Sequence, residues 1–241
     1  MAESTAVRIL VANPNSTGAI TEACVTLARA AVAAGTEVVG WTNREGPPVI
    51  DSVHTDYLAG ATLVSGLLAV RPAPDAVVLA GFGNYGTGAV KERLEVPVVS
   101  MAEAAMALAT LLCHRFAIVT TTPRMVPYTE DLVRLAGFEA RCAGVRAVSL
   151  PPLGEPRPEA RAVVEALVEE VARAGTERGA DLVILGGARL SPYAADLRRA
   201  VRVPVVEPVA CAVQAAEGLV RLGLRQSAAG KFAPPPGPPT L

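Results

Sequence analysis

Short apolar runs alternate with longer stretches of helical spacing along most of the chain. The apolar runs lack polar alternation and are bounded by turn residues, which is typical of parallel strands covered on both faces. The pattern therefore predicts an α/β protein. The predicted strands are 7–12, 36–41, 75–80, 96–99, 116–119, 139–145, 181–185 and 203–206, and the longer predicted helices are 55–70, 103–112, 124–136, 159–174 and 208–222.

The second half of the chain repeats the order of the first half. Three landmarks recur in the same order at nearly the same separation, namely Val11 with Val119, Asp75 with Asp181, and Pro97 with Pro204. We infer two similar α/β lobes, each with a parallel sheet of about four strands, related by a pseudo-twofold axis with a cleft between them. The predicted first lobe is 1–100 with the returning helix 208–225, the second is 101–207, and the proline-rich residues 226–241 are predicted to be a disordered tail.

Composition narrows the possible functions. Apolar residues make up 51% of the chain and aromatic residues only 4%, so the core must be built from Ala, Val and Leu. The net charge of −1 without a basic block argues against nucleic acid or an acidic membrane as a partner. The first residues do not have the pattern of a secretory signal, so a cytoplasmic location is expected. The four cysteines show no C-x-x-C spacing, which argues against a metal site or a disulfide framework.

Glycine and polar turns follow the predicted strands where open α/β sheets bind ligands. These turns are 13–17, 81–86, 120–122 and 186–189. Residues 15–17 can cap the next helix and attract an anion, or they can serve only as a cap and turn. The loop 42–54 has the length of a lid or binding loop. A small-molecule ligand is therefore expected, with backbone amides of the glycine turns forming an oxyanion hole.

Several motifs together resemble the aspartate/glutamate racemase superfamily, nearest its hydantoin and allantoin racemase branch. They are NPNST at 13–17, VLAGFGNYG at 78–86, PVVSMAEAA at 97–105, VTTT at 119–122 and LGGA at 185–188. The resemblance implies two Rossmann-like lobes, no cofactor, no metal, and two cysteines that act as acid and base at an α-carbon. The positions that match these cysteines hold Gly81 and Gly187, which carry no side chain. A homo-oligomer is also expected.

The resemblance and the turn chemistry together give a set of candidate substrate-binding residues: Asn13, Ser16, Thr17, Asn84, Tyr85, Thr120, Thr121, Thr122, Tyr128, Gly186 and Arg189. Tyr128 resembles a tyrosine of the arylmalonate decarboxylase branch that hydrogen-bonds a carboxylate. If other groups replace the two cysteines, the candidates near the turns are Tyr85, Tyr128, Glu103 and Arg189, although an acid such as Glu103 in the first turn of a helix is also favoured by the helix dipole. His54 and His114 are expected in a loop or at the surface.

Three functions remain open at this stage. The first is a proton-transfer isomerase that acts on a small hydantoin, ureido or carboxylate compound. The second is a decarboxylase or other lyase. The third is a ligand-binding protein that lacks the acid and base. The two glycines are natural, or they are replacements that inactivate the enzyme.

Overall fold

The computed structural model describes residues 6–153, 155–156 and 158–234, and it divides the chain into two compact units. Unit 1 takes the residues up to Met101 together with those from Ala212 onward, and unit 2 takes Ala102–Cys211. The sequence placed the first boundary after residue 100 and the second after residue 207. The difference at the second boundary arises because the first residues of the last helix group with unit 2.

The helices and strands follow one another in strict alternation. In chain order they are β1 (Arg8–Asn13), α1 (Gly18–Ala31), β2 (Glu37–Thr42), α2 (Val53–Leu68), β3 (Ala76–Leu79), α3 (Thr87–Arg93), β4 (Val98–Ser100), α4 (Met101–Leu112), β5 (Phe116–Thr120), α5 (Met125–Leu135), β6 (Cys142–Ala147), α6 (Ala160–Arg178), β7 (Leu182–Gly186), α7 (Ala194–Ala200), β8 (Val205–Val206) and α8 (Pro208–Arg221). Short 3₁₀ turns occupy Glu139–Arg141, Ser191–Tyr193 and Gly230–Phe232.

Each unit is built on a four-stranded parallel sheet. The order is β2-β1-β3-β4 in unit 1 and β6-β5-β7-β8 in unit 2, so equivalent strands occupy equivalent places. The central strands β3 and β7 are buried along their whole length, which is the burial expected of strands covered on both faces. The predicted α/β class with two similar lobes is confirmed.

The core of each unit consists mainly of aliphatic side chains between sheet and helices. In unit 1, Leu63 and Leu67 of α2 pack on a sheet face that includes Leu10 and Leu79. In unit 2, Leu167 of α6 occupies the corresponding position in the core against β5 and β7. The scarcity of aromatic residues in the sequence is therefore matched by cores of Ala, Val and Leu.

The aspartates that precede β3 and β7 fasten these strands to their neighbours in the same way. Asp75 accepts a hydrogen bond from the amide of Arg8 through Oδ2 at 2.7 Å. Asp181 accepts from the amides of His114 and Arg115 at 3.0 and 2.9 Å. These hydrogen bonds hold the pKa of Asp181 below its ordinary value. The repeated aspartate therefore has the same structural task at the amino end of both central strands.

Several predicted element boundaries differ from the structure; for example, α6 runs to Arg178, beyond residue 174, and β8 begins at Val205, later than residue 203. Helix α2 begins at Val53, earlier than residue 55, because Ser52 and Thr55 form a reciprocal capping box. Residues 139–141 form a 3₁₀ turn, and strand β6 then runs to Ala147, later than residue 145.

The predicted disordered tail contains local structure in its first part. Residues 230–232 form a 3₁₀ turn, and the Phe232 ring lies 5.7 Å from Nζ of Lys91 on α3. Gln226 is hydrogen-bonded to the segment that leads into β4: its Nε2 donates to the carbonyl of Val96 at 2.9 Å, and its Oε1 accepts from the amide of Val98 at 3.2 Å. The prediction was therefore wrong for 226–234, and its remainder, 235–241, lies outside the described residues.

Candidate active site

In unit 1 the turns that follow β1 and β3 lie side by side. These strands are parallel neighbours, and the amide of Ala80 donates to the carbonyl of Ala12 at 2.8 Å where they end. Parallel strands present their carboxyl ends at the same edge of the sheet, where α/β proteins bind ligands. The structure thus brings together the predicted segments 13–17 and 81–85.

Asn13 is fully buried and shapes the turn after β1. Its Nδ2 donates to the carbonyl of Thr17 and to Oγ1 of Thr21, both at 3.1 Å. Its Oδ1 accepts from the amide of Asn15 at 3.2 Å. These contacts fix the entry into α1, and a substrate-binding role for Asn13 stays a prediction.

The loop between β2 and α2 is fastened to the same turn. The amide of Ser16 donates to the carbonyl of Pro47 at 3.0 Å, and the hydroxyl of Thr17 donates to that of Pro48 at 2.8 Å. Asn43 is 1% exposed and its Nδ2 donates to the carbonyl of Pro14 at 2.9 Å. The loop was considered as a lid or binding loop, and these bonds hold it against the turn.

The ring of Tyr85 occupies the space beside Gly81. A Cβ atom built on Gly81 would lie 2.3 Å from Cε2 and 2.9 Å from Cδ2 of Tyr85, and 2.7 Å from Cγ of Pro14. Such distances are far inside van der Waals contact. Any side chain at position 81 would therefore require the buried tyrosine ring to move.

The backbone of Tyr85 has a conformation that is unusual for a residue other than glycine. Its φ is +32°, in the left-handed region, where a bulky side chain is disfavoured. Its amide donates to Oδ1 of Asp56 on α2 at 3.0 Å. The turn also approaches α2 so closely that a Cβ on Gly60 would lie 3.1 Å from the amide nitrogen of Gly86. The surrounding contacts thus hold the strained residue in place.

Unit 2 places its turns in the equivalent arrangement. The strands β5 and β7 are parallel neighbours, and the hydroxyl of Thr120 donates to the carbonyl of Gly186 at 3.1 Å. Thr121 and Thr122 continue beyond β5 and are half-buried. The carbonyl of Thr121 accepts from the amide of Leu150 at 2.9 Å. The predicted segments 120–122 and 186–189 are therefore adjacent.

The two glycines that end β7 have different surroundings. A Cβ on Gly186 would lie 2.7 Å from Cγ2 of Ile118, so close packing of the sheet excludes a side chain there. Gly187 has φ +153° and the nearest atom to its hypothetical Cβ is Cγ2 of Thr121, at 3.5 Å. Position 187 consequently has room for a side chain, at the cost of backbone strain, whereas position 81 has no room.

The remaining predicted residues lie at these turns or on the helices that follow them. Asn84 is exposed, and its carbonyl accepts from the amide of Thr87 at 2.6 Å. Nη2 of Arg189 donates to the carbonyl of Pro151 at 2.7 Å. Tyr128 and Glu103 are half-buried on α5 and α4. The contacts described for these residues are all within the protein, so their roles in binding a substrate stay predictions.

Sequence reasoning missed a buried carboxylate behind the second glycine turn. Glu207 is 4% exposed and accepts from the hydroxyl of Ser191 at 2.6 Å, from the amide of Val209 at 3.0 Å and from that of Ala210 at 2.8 Å. It thus caps α8 and joins it to the 3₁₀ turn after Gly187. The signal in the sequence was an acid directly before the helix-starting Pro208.

The cysteines have surroundings that disfavour a reactive thiolate. Burial raises the pKa of Cys113 and of Cys142 above the ordinary value. Burial and the neighbouring Glu207 carboxylate raise the pKa of Cys211 to about 11. Cys24 is fully buried in α1. None of the four lies in a glycine turn. Both histidines are exposed, as expected from the sequence.

Two other kinds of feature are absent from the described residues. Within the described residues, no group of three or more His, Cys, Asp or Glu side chains is placed to hold a metal ion. Across the part of the chain that the structure describes, no helix combines the length and apolar character needed to cross a membrane.

Two α/β units with sheets of the same order, each ending in paired polar and glycine turns, define the class of fold. A family model described as Asp/Glu/Hydantoin racemase matches residues 9–216. The chain therefore belongs to this family, and the resemblance noted in its motifs is confirmed. That Gly81 and Gly187 stand at the positions of family cysteines stays a prediction.

Relatives of named activity match the chain along nearly its whole length. The crystal structure of allantoin racemase from Pseudomonas fluorescens is 38% identical, with a TM-score of 0.91, and the match covers 98% of this chain and 100% of that one. Allantoin racemase from Klebsiella pneumoniae is 37% identical, with a TM-score of 0.90 and coverage of 98% and 96%. A hydantoin racemase from Paenarthrobacter aurescens is 36% identical over 230 residues, which are 95% of this chain and 97% of the relative.

Proposed function

We propose that this chain is a proton-transfer enzyme of the racemase class whose substrate is a small cyclic ureide of the hydantoin or allantoin type. The observation that carries the proposal is the paired arrangement of turns at the carboxyl ends of β1 with β3 and of β5 with β7. The end-to-end similarity to proteins named hydantoin racemase and allantoin racemase supports the substrate class.

The chemistry of such a substrate suits polar and glycine turns. The carbon between a ring nitrogen and a carbonyl group is acidic because its carbanion is delocalised onto the carbonyl oxygen. Donors preorganised around that oxygen stabilise the enolate as the proton leaves. In each unit the proposed donors are backbone amides of its glycine turn, and in unit 2 they include the hydroxyls of Thr121 and Thr122. A positioned side chain must still move the proton, because Gly81 and Gly187 cannot.

Three further parts of the proposal come from the sequence. We propose that the reaction uses no cofactor, as the family resemblance implies. We propose a cytoplasmic location and a homo-oligomeric state. Light scattering after size-exclusion chromatography would measure the oligomeric state. That the turns of the two units act on one ligand stays a prediction.

Deuterium exchange tests the proposed function directly. Single enantiomers of allantoin and of 5-substituted hydantoins are incubated in D₂O, and proton NMR follows loss of the ring C–H signal while optical rotation follows inversion. The uncatalysed exchange is subtracted by use of heat-denatured protein. We expect catalysed exchange with at least one ureide. Thermal stabilisation by the ureides without exchange would instead indicate a binding protein, and carbon dioxide release from a disubstituted malonate would indicate a decarboxylase.

A further inference from the structure

The side chain of Tyr85 fills the volume that a side chain at position 81 would need. Two of its ring carbons, Cε2 and Cδ2, lie 2.3 and 2.9 Å from the position of a Cβ on Gly81. The phenol oxygen is bonded to the carbon next to Cε2. The phenol oxygen is therefore two bonds from the ring atom that lies nearest to this Cβ position. Glycine at 81 and tyrosine at 85 form a matched pair.

The protein holds this tyrosine in place against its backbone preference. Left-handed φ values cost a bulky residue on the order of 1–3 kcal/mol and persist where surrounding contacts enforce them. Here the Asp56 carboxylate binds the Tyr85 amide, and Gly60 allows the turn to approach α2 closely. An asparagine or glycine would adopt the same backbone more easily. The Tyr85 side chain also packs in the apolar core cluster of unit 1 with Leu63 and Leu79.

We propose that the phenol of Tyr85 is the proton-transfer group of the first glycine turn, in the place of a side chain at position 81. This inference rests on the proposed function. It adds a named group for the proton, which Gly81 cannot supply.

The proposed step needs no further reactant. The deprotonated phenol oxygen takes the proton of the activated ring carbon: the C–H bond breaks, an O–H bond forms, and the electron pair of the C–H bond moves into the enolate of the neighbouring carbonyl. Exchange of the phenol proton with D₂O followed by the reverse step places deuterium on the carbon. A single group acting on one face returns the deuteron to that face, so exchange from Tyr85 alone retains configuration.

A pair of tyrosine variants tests the assignment. Tyr85→Phe keeps the ring beside Gly81 and removes only the phenol oxygen. The matched control is Tyr57→Phe, because Tyr57 lies on α2 with 77% of its surface exposed. We expect Tyr85→Phe to lose exchange activity by about 10²- to 10⁴-fold, with the melting temperature and the stabilisation by ureide retained. Tyr57→Phe should exchange at the rate of the unmodified protein.

A second measurement separates proton transfer from a structural effect of the hydroxyl. Site-specific replacement of Tyr85 by 3-fluorotyrosine preserves the ring and makes the phenol more acidic. We expect the pH at which the exchange rate rises to move downward in this protein, and not when the same replacement is made at Tyr57.

The outcomes are distinct. If Tyr85→Phe exchanges within about threefold of the unmodified protein, or if fluorination leaves the pH profile in place, the assignment to Tyr85 is overturned and the proposed function stands. If the unmodified protein exchanges no ureide, both are overturned. The fluorinated protein still decides the matter if the phenylalanine variant does not fold.

Discussion

The Glu217 carboxylate on α8 accepts a 2.5 Å hydrogen bond from the hydroxyl of Thr36. Glu217 is only 4% exposed, and it also accepts from the amide of Ala33 at 3.2 Å and pairs with Arg221 at 2.7 Å. The carboxylate thus joins the last helix to the turn between α1 and β2. Burial raises its pKa, but the three donors outweigh burial, and the net effect holds the pKa of Glu217 below the ordinary value of a glutamate.

We predict that this contact makes the stability of the protein depend on pH under acidic conditions. A carboxyl group with a lowered pKa stabilises the folded state above its unfolded pKa, and the contribution is lost as the pH falls through the folded value. Glu217→Gln should lower the free energy of unfolding at pH 7 by about 1–3 kcal/mol. The difference between variant and unmodified protein should shrink as the pH falls through the lowered pKa of Glu217, as urea unfolding would measure. Glu22→Gln, an exposed residue of α1, is the control. An equal difference at pH 7 and pH 3 would contradict the prediction.

The second prediction concerns the hydrogen bond between the Asp56 carboxylate and the Tyr85 amide. Asp56→Asn replaces a charged acceptor by a weaker one, so we expect a loss of about 1–2 kcal/mol in the free energy of unfolding. Amide hydrogen exchange at Tyr85 should become faster, because the turn opens more readily. The control is Asp51→Asn, because Asp51 is exposed and lies two residues before α2 begins at Val53. Unchanged protection at Tyr85 would show that the bond does not hold the turn.

A third prediction is that positions 81 and 85 are energetically coupled. Gly81→Ala places a Cβ against the Tyr85 ring and should cost about 1–3 kcal/mol. Combined with Tyr85→Ala the same change should cost less, because the obstructing ring is gone and only the contact with Cγ of Pro14 remains. Thermal unfolding of the two single variants and the double variant gives the coupling energy.

The matched control for this cycle is Gly88→Ala. Gly88 lies in α3, and a Cβ there meets nothing within 4 Å. This variant should be neutral or slightly stabilising, since alanine favours helix. Additive costs at 81 and 85 would mean that the ring moves aside freely, and Gly81→Cys alone would then be a practical way to introduce a thiol.

The fourth prediction is that the activity does not depend on thiols. Alkylation proceeds through the thiolate, and the pKa of Cys113, Cys142 and Cys211 is raised. Treatment with iodoacetamide at pH 7 should therefore leave deuterium exchange with the ureide intact. A racemase that works through two cysteines should lose activity under the same conditions and serves as the positive control. Inactivation protected by ureide would place a cysteine at the substrate.

The sequence predicted the repeated architecture because its signals are local. Asp75 and Asp181 each precede a run of apolar residues, and each run is a central buried strand. Gly35 and Gly137 have φ +90° and +79° shortly after α1 and α5, which is the conformation that glycine commonly adopts after a helix. Parallel sheets bury both faces, so the absence of polar alternation was sufficient to identify the strands.

Other features depend on contacts between residues distant in the sequence, which local patterns do not specify. The pairing of Gly81 with Tyr85 follows from a left-handed backbone at Tyr85 that depends on α2. The loop 42–54 has the length of a lid or binding loop. In the structure the buried Asn43 side chain fastens it to Pro14. Glu207 resembles an ordinary residue before a helix, and its bond to Ser191 exists only in the folded unit.

The side chain of Gln226 covers part of the edge strand of the first sheet. Strand β4 lies at the end of its sheet order, and Gln226 bonds to the amide of Val98 and to the carbonyls of Leu94 and Val96. One glutamine thereby satisfies backbone groups that a foreign strand would otherwise pair with. A chain shortened to end before Gln226 would keep every residue of the paired turns but would leave the edge strand β4 open to pairing with another chain. We expect such a chain to aggregate although its proposed catalytic groups are intact.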